Sequence, residues 1–568
     1  MQELALLVVV AVLIIVAVSY AAPKLGVAAP VLLVLVGMGC SVLPGAPELF
    51  LEPDWILVVV LPPILHAAAV NVPVVDFRRN FGTIGALSVL LVVVSAFGTG
   101  LLIWWLLPDI GFAAAVALGA VISPPDAVAA TAIGKRLGLP PRLVTILEGE
   151  GLVNDATALV LLRTAVAAIA GTVSFWGALG DFASAVVIGI AVGALVGAAS
   201  VWARSRIRGQ PVLTTAISFV VPFLAFIPAE ELDASGVIAV VTAGLITGHQ
   251  SAKRFTAHDR IAERTNWRTI QLLLENGVFL LMGFEITTVL ADVHNSGEGV
   301  WTSVGLGLLA TAVLIVLRIA FVTPLIAALR RQQRGAGERA GRIEDALDRI
   351  TTRGPRPGKD HRYDKVTRIL QRRHADATFF ASEGLDWRGG AVLAWSGMRG
   401  VVTLAAAQSL PTDVPHRAEL VLIAFTVAIV TLILQGGTLP VLIAKLGIQG
   451  TDVEHDRREL GRLATELHDA TQSVLDSPAL RRENGEPFDD EVLDQARERV
   501  LATADVIERM LTDPDPDSPH RQRRELLRLL VDAQQNALLD ARATGTYGSH
   551  TLERAQHVID NQAARFTT

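Results

Sequence analysis

The sequence predicts an all-α polytopic membrane protein with 13 transmembrane helices. Of its 568 residues, 51% are hydrophobic and only 18% are charged, and the mean hydropathy is +0.47. A water-soluble fold could not cover so much apolar surface. Apolar runs of roughly 17–25 residues, the length that spans a bilayer as a helix, are centred near residues 12, 35, 62, 95, 122, 157, 193, 220, 241, 276, 315, 398 and 432.

The charges in the connectors between these runs alternate in sign. Connectors after odd-numbered runs carry Lys and Arg, as at Arg78 and Arg79, whereas those after even-numbered runs are mainly acidic, as at Asp109 and Glu230. Lys and Arg accumulate in cytoplasmic loops. The pattern therefore predicts an N-terminus outside the cell and a C-terminus in the cytoplasm. The N-terminus lacks the basic segment of a cleavable signal peptide, so the first run is interpreted as a span.

Two polar regions accompany the transmembrane domain, which we place at residues 1–447. Residues 331–386 form a charged cytoplasmic insertion whose composition is typical of a mobile segment. Residues 451–568 are predicted to form a small cytoplasmic helical domain, with helical patterns over 490–512 and 521–543. Asp-Pro repeats separate those two patterns. Regulation and dimerisation both remain open as the role of this domain.

Several function classes find no support in the sequence. The net charge of −6 provides no basic surface for nucleic acid. No nucleophile–base pair or His-rich metal cluster is visible, so neither an enzyme nor a resident cofactor is expected. A gated channel finds no selectivity-filter motif or repeat of voltage-sensing arginines. The single cysteine, Cys40, cannot form an internal disulfide.

Two aspartates inside apolar runs are the main candidates for a functional site, Asp126 and Asp155. A carboxylate at membrane depth costs roughly 2.5–3.5 kcal/mol, so it is retained mainly where it faces a polar cavity. Pro124 and Pro125 precede Asp126 and should unwind the helix, freeing carbonyl oxygens that can bind a small cation. The alternatives are a carboxylate that serves packing and a proline kink without ligands.

The sixth run carries a polar face that must look inward. Asn154 lies four residues after Glu150, so their side chains share one helix face. Glu150 needs a cation, and Arg318 and Arg399 both lie in apolar runs. An unpaired buried charge would be very costly. We interpret Glu150 and Arg318 as a structural ion pair.

Four motifs resemble those of monovalent cation/proton antiporters, most closely the bacterial NhaP/YjcE-like exchangers related to the eukaryotic NHE proteins. The resemblance covers about residues 1–447. The motifs are Leu-Pro-Pro-Ile-Leu at 61–65, Ser-Pro-Pro-Asp-Ala from 123, Leu-Glu-Gly-Glu-Gly-Leu-Val-Asn-Asp-Ala at 147–156 and Ser-Gly-Met-Arg-Gly at 396–400.

The resemblance implies two inverted six-helix repeats, an additional N-terminal helix and discontinuous helices. It also implies a homodimer in the bacterial inner membrane, in which core and dimer domains move against each other during alternating access. The transported species would be Na⁺, or Li⁺ or K⁺, exchanged for H⁺ in sodium transport and pH homeostasis. A K⁺-selective antiporter and a gated cation channel are the alternatives.

The resemblance also implies roles for particular residues. Asp155 would be the main cation- and proton-binding carboxylate, Asp126 a second ligand or stabiliser, and Asn154 an orienting residue. The Asn-Asp pair implies electroneutral exchange. The remaining candidates are the ligand-region residues Pro125 and Gly151, the ion pair Glu150–Arg318, and the accessory residues Arg399, His66 and Glu148.

Three positions depart from the pattern of the resembling family. Pro125-Asp126-Ala127 replaces Thr-Asp-Pro, which removes a hydroxyl but keeps a backbone carbonyl. Gly151 replaces a serine, so water would substitute for one side-chain ligand. His66 and Ala67 stand where an acidic residue is common. His66 is expected either to titrate or to be a packed core residue.

Overall fold

The computed structural model describes most of the chain. It covers residues 2–43, 52–171, 175–207, 209–353, 360–382, 384–448, 453–477, 479–482 and 484–497, with short pieces between 522 and 556. Within these residues the regular elements are helices, and no strand is found. This agrees with the predicted all-α fold class.

The α-helices follow one another through the transmembrane unit and into the tail. In chain order they are α1 (Gln2–Leu25), α2 (Ala29–Ser41), α3 (Leu61–Asn71), α4 (Val74–Arg79), α5 (Phe81–Gly85), α6 (Val92–Leu106), α7 (Gly111–Ile122), α8 (Ala127–Arg136), α9 (Pro141–Ala170), α10 (Phe175–Arg206), α11 (Pro211–Glu231), α12 (Gly236–Arg254), α13 (Ala257–Phe284), α14 (Ile286–Asn295), α15 (Val300–Arg353), α16 (Asp360–Ser382), α17 (Trp387–Trp395), α18 (Val401–Gln408), α19 (Arg417–Thr431), α20 (Gly437–Leu446) and α21 (Val453–Leu475). Segments of π-helix precede α3, α6 and α20 at Trp55–Val60, Ala86–Leu91 and Leu432–Gly436.

Many of these helices are suited to a bilayer. In the described part of the chain, eight helical stretches are long and apolar enough to cross a membrane, and three shorter apolar helices accompany them. Each centre predicted from the apolar runs lies in a helix, in a π-helical segment or at the break between two helices. The chain is therefore a multi-pass helical membrane protein.

Two spans are interrupted in the middle. The first break, at residues 123–126, separates α7 from α8, and the second, at 396–400, separates α17 from α18. Pro124 and Pro125 account for the first break because neither can donate a helical hydrogen bond. The two breaks touch, since the Asp126 N–H donates to the Met398 carbonyl over 2.6 Å. The predicted break at the double proline is confirmed.

Contacts between connectors join segments that the charge pattern assigns to the same side of the membrane. The pairs are Arg79 with Asp376 at 2.8 Å, Arg136 with the Pro23 carbonyl at 2.7 Å, and Glu298 with His416 at 2.9 Å. The first two pairs lie on the predicted cytoplasmic side and the third on the predicted external side. The folded chain is thus consistent with the alternation derived from the charges.

The insertion at residues 331–386 is largely helical, in contrast to the mobile segment expected from its composition. Helix α15 continues from the apolar region into the insertion, and α16 packs along it. Asp376 accepts a hydrogen bond from Arg79, and the Phe380 ring lies 5.1 Å from the Arg142 guanidinium. Docking onto these arginines explains why a polar segment adopts defined structure, which composition alone does not reveal.

The contacts divide the chain into two units, Met1–Gly450 and Thr451–Thr568. The second unit contains α21, which presents a row of exposed leucines at positions 460, 463 and 467. Parts of the helices predicted over 490–512 and 521–543, and the Asp-Pro repeats between them, lie outside the described residues.

Candidate ion-binding site

A cavity of about 640 Å³ lies beside the first helix break, lined by residues of α3, α8, α9, α13 and α18. Asp126 and Asp155 both line it, although 29 residues of sequence separate them. Pro125 and Gly151 line the same cavity. The fold therefore brings together the two carboxylates that the sequence singles out.

Asp126 lies between the starts of two half-helices. It immediately precedes α8, and its carboxylate is packed against Gly400, the residue before α18, so closely that a Cβ there would overlap it. Helix N-termini carry partial positive charge and favour an anion. The two helix ends thus stabilise a carboxylate at this position.

Asn154 connects the unwound segment to α9. Its side chain is fully buried, and its Nδ2 donates to the Pro125 carbonyl over 2.6 Å. Asn154 does not line the cavity. This bond holds the proline segment against the helix that carries Asp155, so Asn154 acts on the site through backbone placement.

Two buried arginines satisfy the carbonyls at the C-terminal ends of the broken helices. Arg399 donates from Nε to the Ile122 carbonyl at 2.9 Å and from Nη2 to the Ser123 carbonyl at 3.3 Å, at the end of α7. Arg318 donates from Nε to the Leu393 carbonyl at 3.1 Å, in the last turn of α17. Both cations complement the negative end of a helix dipole and satisfy otherwise unpaired carbonyls.

Arg318 is also the partner of Glu150. Its Nη1 and Nη2 donate to the two carboxylate oxygens over 2.6 and 2.9 Å, and both residues are 2% exposed. Two parallel charge-assisted bonds of this kind give a fixed geometry. Glu150 lies outside the cavity lining, and Arg399 bonds backbone carbonyls instead.

The two remaining accessory candidates have different environments. Glu148 lines the cavity and pairs with Lys135 over 2.5 Å. His66 is fully buried, with its ring centroid 5.3 Å from that of Trp267, and does not line the cavity. This environment fits the packed-residue alternative for His66.

Gly151 has a packing role that its sequence context does not reveal. A Cβ at this position would overlap the Ala127 methyl group of α8. Gly151 thus permits the close approach of α8 and α9 that positions Asp126 near Asp155. The sequence suggests only a missing side-chain ligand, because the motif does not show which residue faces it.

Glu275 is a residue of the site that was not predicted from the sequence. This residue lies on α13, lines the same cavity, and accepts a hydrogen bond from Gln271 over 2.6 Å. The signal was available, because Glu275 is a carboxylate within an apolar run, like Asp126 and Asp155. Arg264 and Arg268, on the same helix, also line the cavity.

Gly400→Ala should disable the site. The backbone of Gly400 has an ordinary φ of −112°, so the new methyl group acts through space alone, by displacing the Asp126 carboxylate. We expect cation-dependent proton movement in vesicles to fall roughly tenfold or more, because reacting groups tolerate little displacement. Gly437→Ala is the control, since a Cβ there meets no atom within 4 Å. Wild-type rates for Gly400→Ala would contradict the contact.

A carboxylate-lined cavity beside crossing broken helices is typical of secondary transporters. Comparison with known proteins defines the class further. The transmembrane model of the sodium/hydrogen exchanger family matches residues 8–445, and the chain belongs to this family. It is therefore classed with the cation/proton antiporters, which are transporters and not enzymes.

Individual relatives agree with this assignment. An uncharacterized Na⁺/H⁺ exchanger of Mycobacterium tuberculosis is 29% identical over 84% of this chain and 83% of its own length. The uncharacterized Na⁺/H⁺ exchanger YjcE of Escherichia coli is 25% identical over 90% of this chain and 88% of its own. The sodium proton antiporter MjNhaP1 from Methanocaldococcus jannaschii, solved at pH 8, shares the fold with a TM-score of 0.54, at 16% identity over 78% of this chain and 99% of its own.

Proposed function

We propose that the protein exchanges Na⁺ for H⁺ by alternating access, with Asp155 as the main carboxylate and Asp126 as a second ligand. The observation that supports this most strongly is the shared cavity of the two aspartates beside the crossing of two broken helices. A buried carboxylate binds either a proton or a cation, and competition between them couples the two fluxes. Pro125 would contribute its carbonyl, while Gly151 would let α8 and α9 approach closely enough to bring Asp126 near Asp155.

The setting of this exchange is part of the proposal. A multi-pass chain with basic connectors at one end fits the bacterial inner membrane, with the N-terminus outside and the C-terminus in the cytoplasm. We further propose a homodimer, a full complement of 13 spans with inverted repeats, and a cytoplasmic helical domain that begins near residue 451. No cofactor enters the exchange, and the lipid bilayer is the other partner.

The test is proton movement in proteoliposomes loaded with a pH-sensitive dye. Addition of Na⁺ should restore the fluorescence that an imposed proton gradient has quenched, and choline should not. Parallel additions of Li⁺ and K⁺ establish the ion preference, and a K⁺ response alone would identify the K⁺-selective alternative. Single-channel currents without coupled proton movement would instead identify a channel. The absence of a response to every cation would contradict the proposed function.

Exchange should be electroneutral, with one proton returned for each cation. Asn154 bonds the Pro125 carbonyl and cannot titrate, so Asp155 is the titratable member of the Asn-Asp pair. We expect the initial rate of Na⁺/H⁺ exchange to be independent of an imposed membrane potential. A clear voltage dependence, or a net current on a solid-supported membrane, would show that a second carboxylate also carries a proton.

A further inference from the structure

Glu275 has the features of a functional carboxylate rather than a structural one. Two buried acids of the transmembrane unit are paired with arginines: Glu150 binds Arg318, and Glu263 binds Arg204 over 2.5 Å. In the described part of the chain, by contrast, Glu275 forms no ion pair with a basic side chain. The Gln271 amide donates to its carboxylate, and the remainder of the group faces the cavity.

We propose that Glu275 is a third cation-binding carboxylate of the cavity and sets its affinity for the transported ion. This inference rests on the proposed function. Its geometrical basis is that α13 carries Glu275 into the cavity that Asp126 and Asp155 line from α8 and α9. Asp126 lies close enough to both Glu275 and Asp155 to interact electrostatically with each of them.

Helix α3 also lines the cavity but contributes no carboxylate to it. Helix α3 contributes Leu61, Ile64, Leu65, Ala68 and Asn71 to the lining, none of which is ionisable. His66 points into the protein interior beside Trp267. Of the two lining helices α3 and α13, it is therefore α13 that supplies a carboxylate to the cavity.

The polar residues of α13 form a stripe that lines the cavity. Arg264, Arg268, Gln271 and Glu275 recur every three or four residues, so they share one helix face. With a rise of about 1.5 Å per residue, Glu275 lies roughly 16 Å deeper along α13 than Arg264. Arg264 and Arg268 line the same cavity and repel a cation, and Glu275 offsets part of this repulsion.

Among the described residues, four carboxylates line the cavity, and one of them, Glu148, is paired with Lys135. The charge of Glu275 adds to those of Asp126 and Asp155 in attracting a cation. Neutralising Glu275 should therefore weaken cation binding while leaving Asp155 to carry out the exchange. We expect Glu275→Gln to raise the apparent KM for Na⁺ roughly tenfold at nearly unchanged maximal rate, as removal of one nearby charge at short range predicts. Gln keeps the size of the side chain and can still bond Gln271.

The experiment compares wild type, Glu275→Gln, Glu275→Asp and Glu285→Gln in proteoliposomes over a range of Na⁺ concentrations. Glu285→Gln is the matched control, because Glu285 is buried at the end of the same helix, bonds Gln408 over 2.9 Å, and lies outside the cavity lining. Glu275→Asp keeps the charge and should recover most of the wild-type KM. Equilibrium binding of radioactive Na⁺ to the purified proteins measures affinity independently of transport.

The outcomes separate the two proposals. If wild type exchanges Na⁺ for H⁺ and Glu275→Gln has the same KM and the same Na⁺ binding, the inference about Glu275 is wrong. A fall in folded yield with unchanged KM per folded molecule also contradicts it, because that result assigns Glu275 a structural role. If Glu275→Gln does not fold, Glu275→Met, which also lacks the charge and needs no hydrogen-bond partner, takes its place, and a wild-type KM with wild-type Na⁺ binding in that variant overturns the inference. If wild type itself moves no protons in response to Na⁺, the result contradicts the proposed function, on which the inference about Glu275 rests.

Discussion

Asp155→Asn should abolish cation/proton exchange while leaving expression and folding near wild type. The amide has the shape of the carboxylate but can neither bind a proton reversibly nor neutralise a cation. Asp155 lines the cavity and does not take part in an ion pair between described residues, so the substitution breaks no structural pair. The measurement is Na⁺-dependent dye dequenching in proteoliposomes, together with the elution profile and thermal melting of the purified variant.

Two further variants sharpen this test. Asp126→Asn should be nearly as damaging, because Asp126 faces the same cavity. Asp109→Asn, in an exposed connector, is the matched control and should behave like wild type. Substantial Na⁺-coupled proton flux in Asp155→Asn would refute the assignment of the site, and wild-type apparent affinity in Asp126→Asn would make Asp126 a structural residue.

Glu150→Ala and Arg318→Ala should each lower the free energy of unfolding by roughly 3–5 kcal/mol, because each leaves a buried charge without its partner. Both groups are 2% exposed and joined by two hydrogen bonds. Glu150→Ala/Arg318→Ala removes both charges and should cost less than the sum of the two single changes. Arg318 also donates a hydrogen bond to the Leu393 carbonyl. Because this bond is lost in the double variant as well, the double variant should still be less stable than wild type.

Thermal melting in detergent, followed by fluorescence and size-exclusion chromatography, measures this coupling. Arg399→Met is the comparison, because it removes a buried arginine that bonds carbonyls at the end of α7 and does not bind Glu150. Because Arg399 also interacts electrostatically with Glu150, we expect some coupling with Glu150→Ala, but less than Arg318→Ala shows. Strict additivity of the Glu150 and Arg318 changes would contradict the ion pair.

The parts of the site that depend on local chemistry could be predicted from sequence. Pro124 and Pro125 cannot continue a helix, so the break beside Asp126 follows from the residues themselves. Asp126 and Asp155 are recognisable as candidates because a carboxylate in an apolar run is costly to insert into a membrane and is usually functional. The all-α multi-pass fold follows in the same way from the length and number of the apolar runs.

Other parts depend on which helix faces which. The role of Arg399 at the end of α7 requires the crossing of two breaks that are far apart in sequence. The packing role of Gly151 depends on the position of Ala127, which lies where a Cβ of residue 151 would be. The role of Glu275 depends on the cavity that α13 helps to enclose. The defined structure of the insertion depends on the docking of its Asp376 on Arg79. Such pairings are tertiary, and no local pattern in a single sequence specifies them.

In the proposed exchange, cation and proton compete for one site that contains Asp155. Linkage then requires bound Na⁺ to displace protons, because each ligand must lower the affinity for the other. Addition of Na⁺ to purified protein in weakly buffered detergent solution should release about one proton per chain, as electroneutral competition at a single carboxylate predicts. Asp155→Asn should release none. Undiminished proton release from Asp155→Asn, or exchange by wild type without any release, would contradict the account.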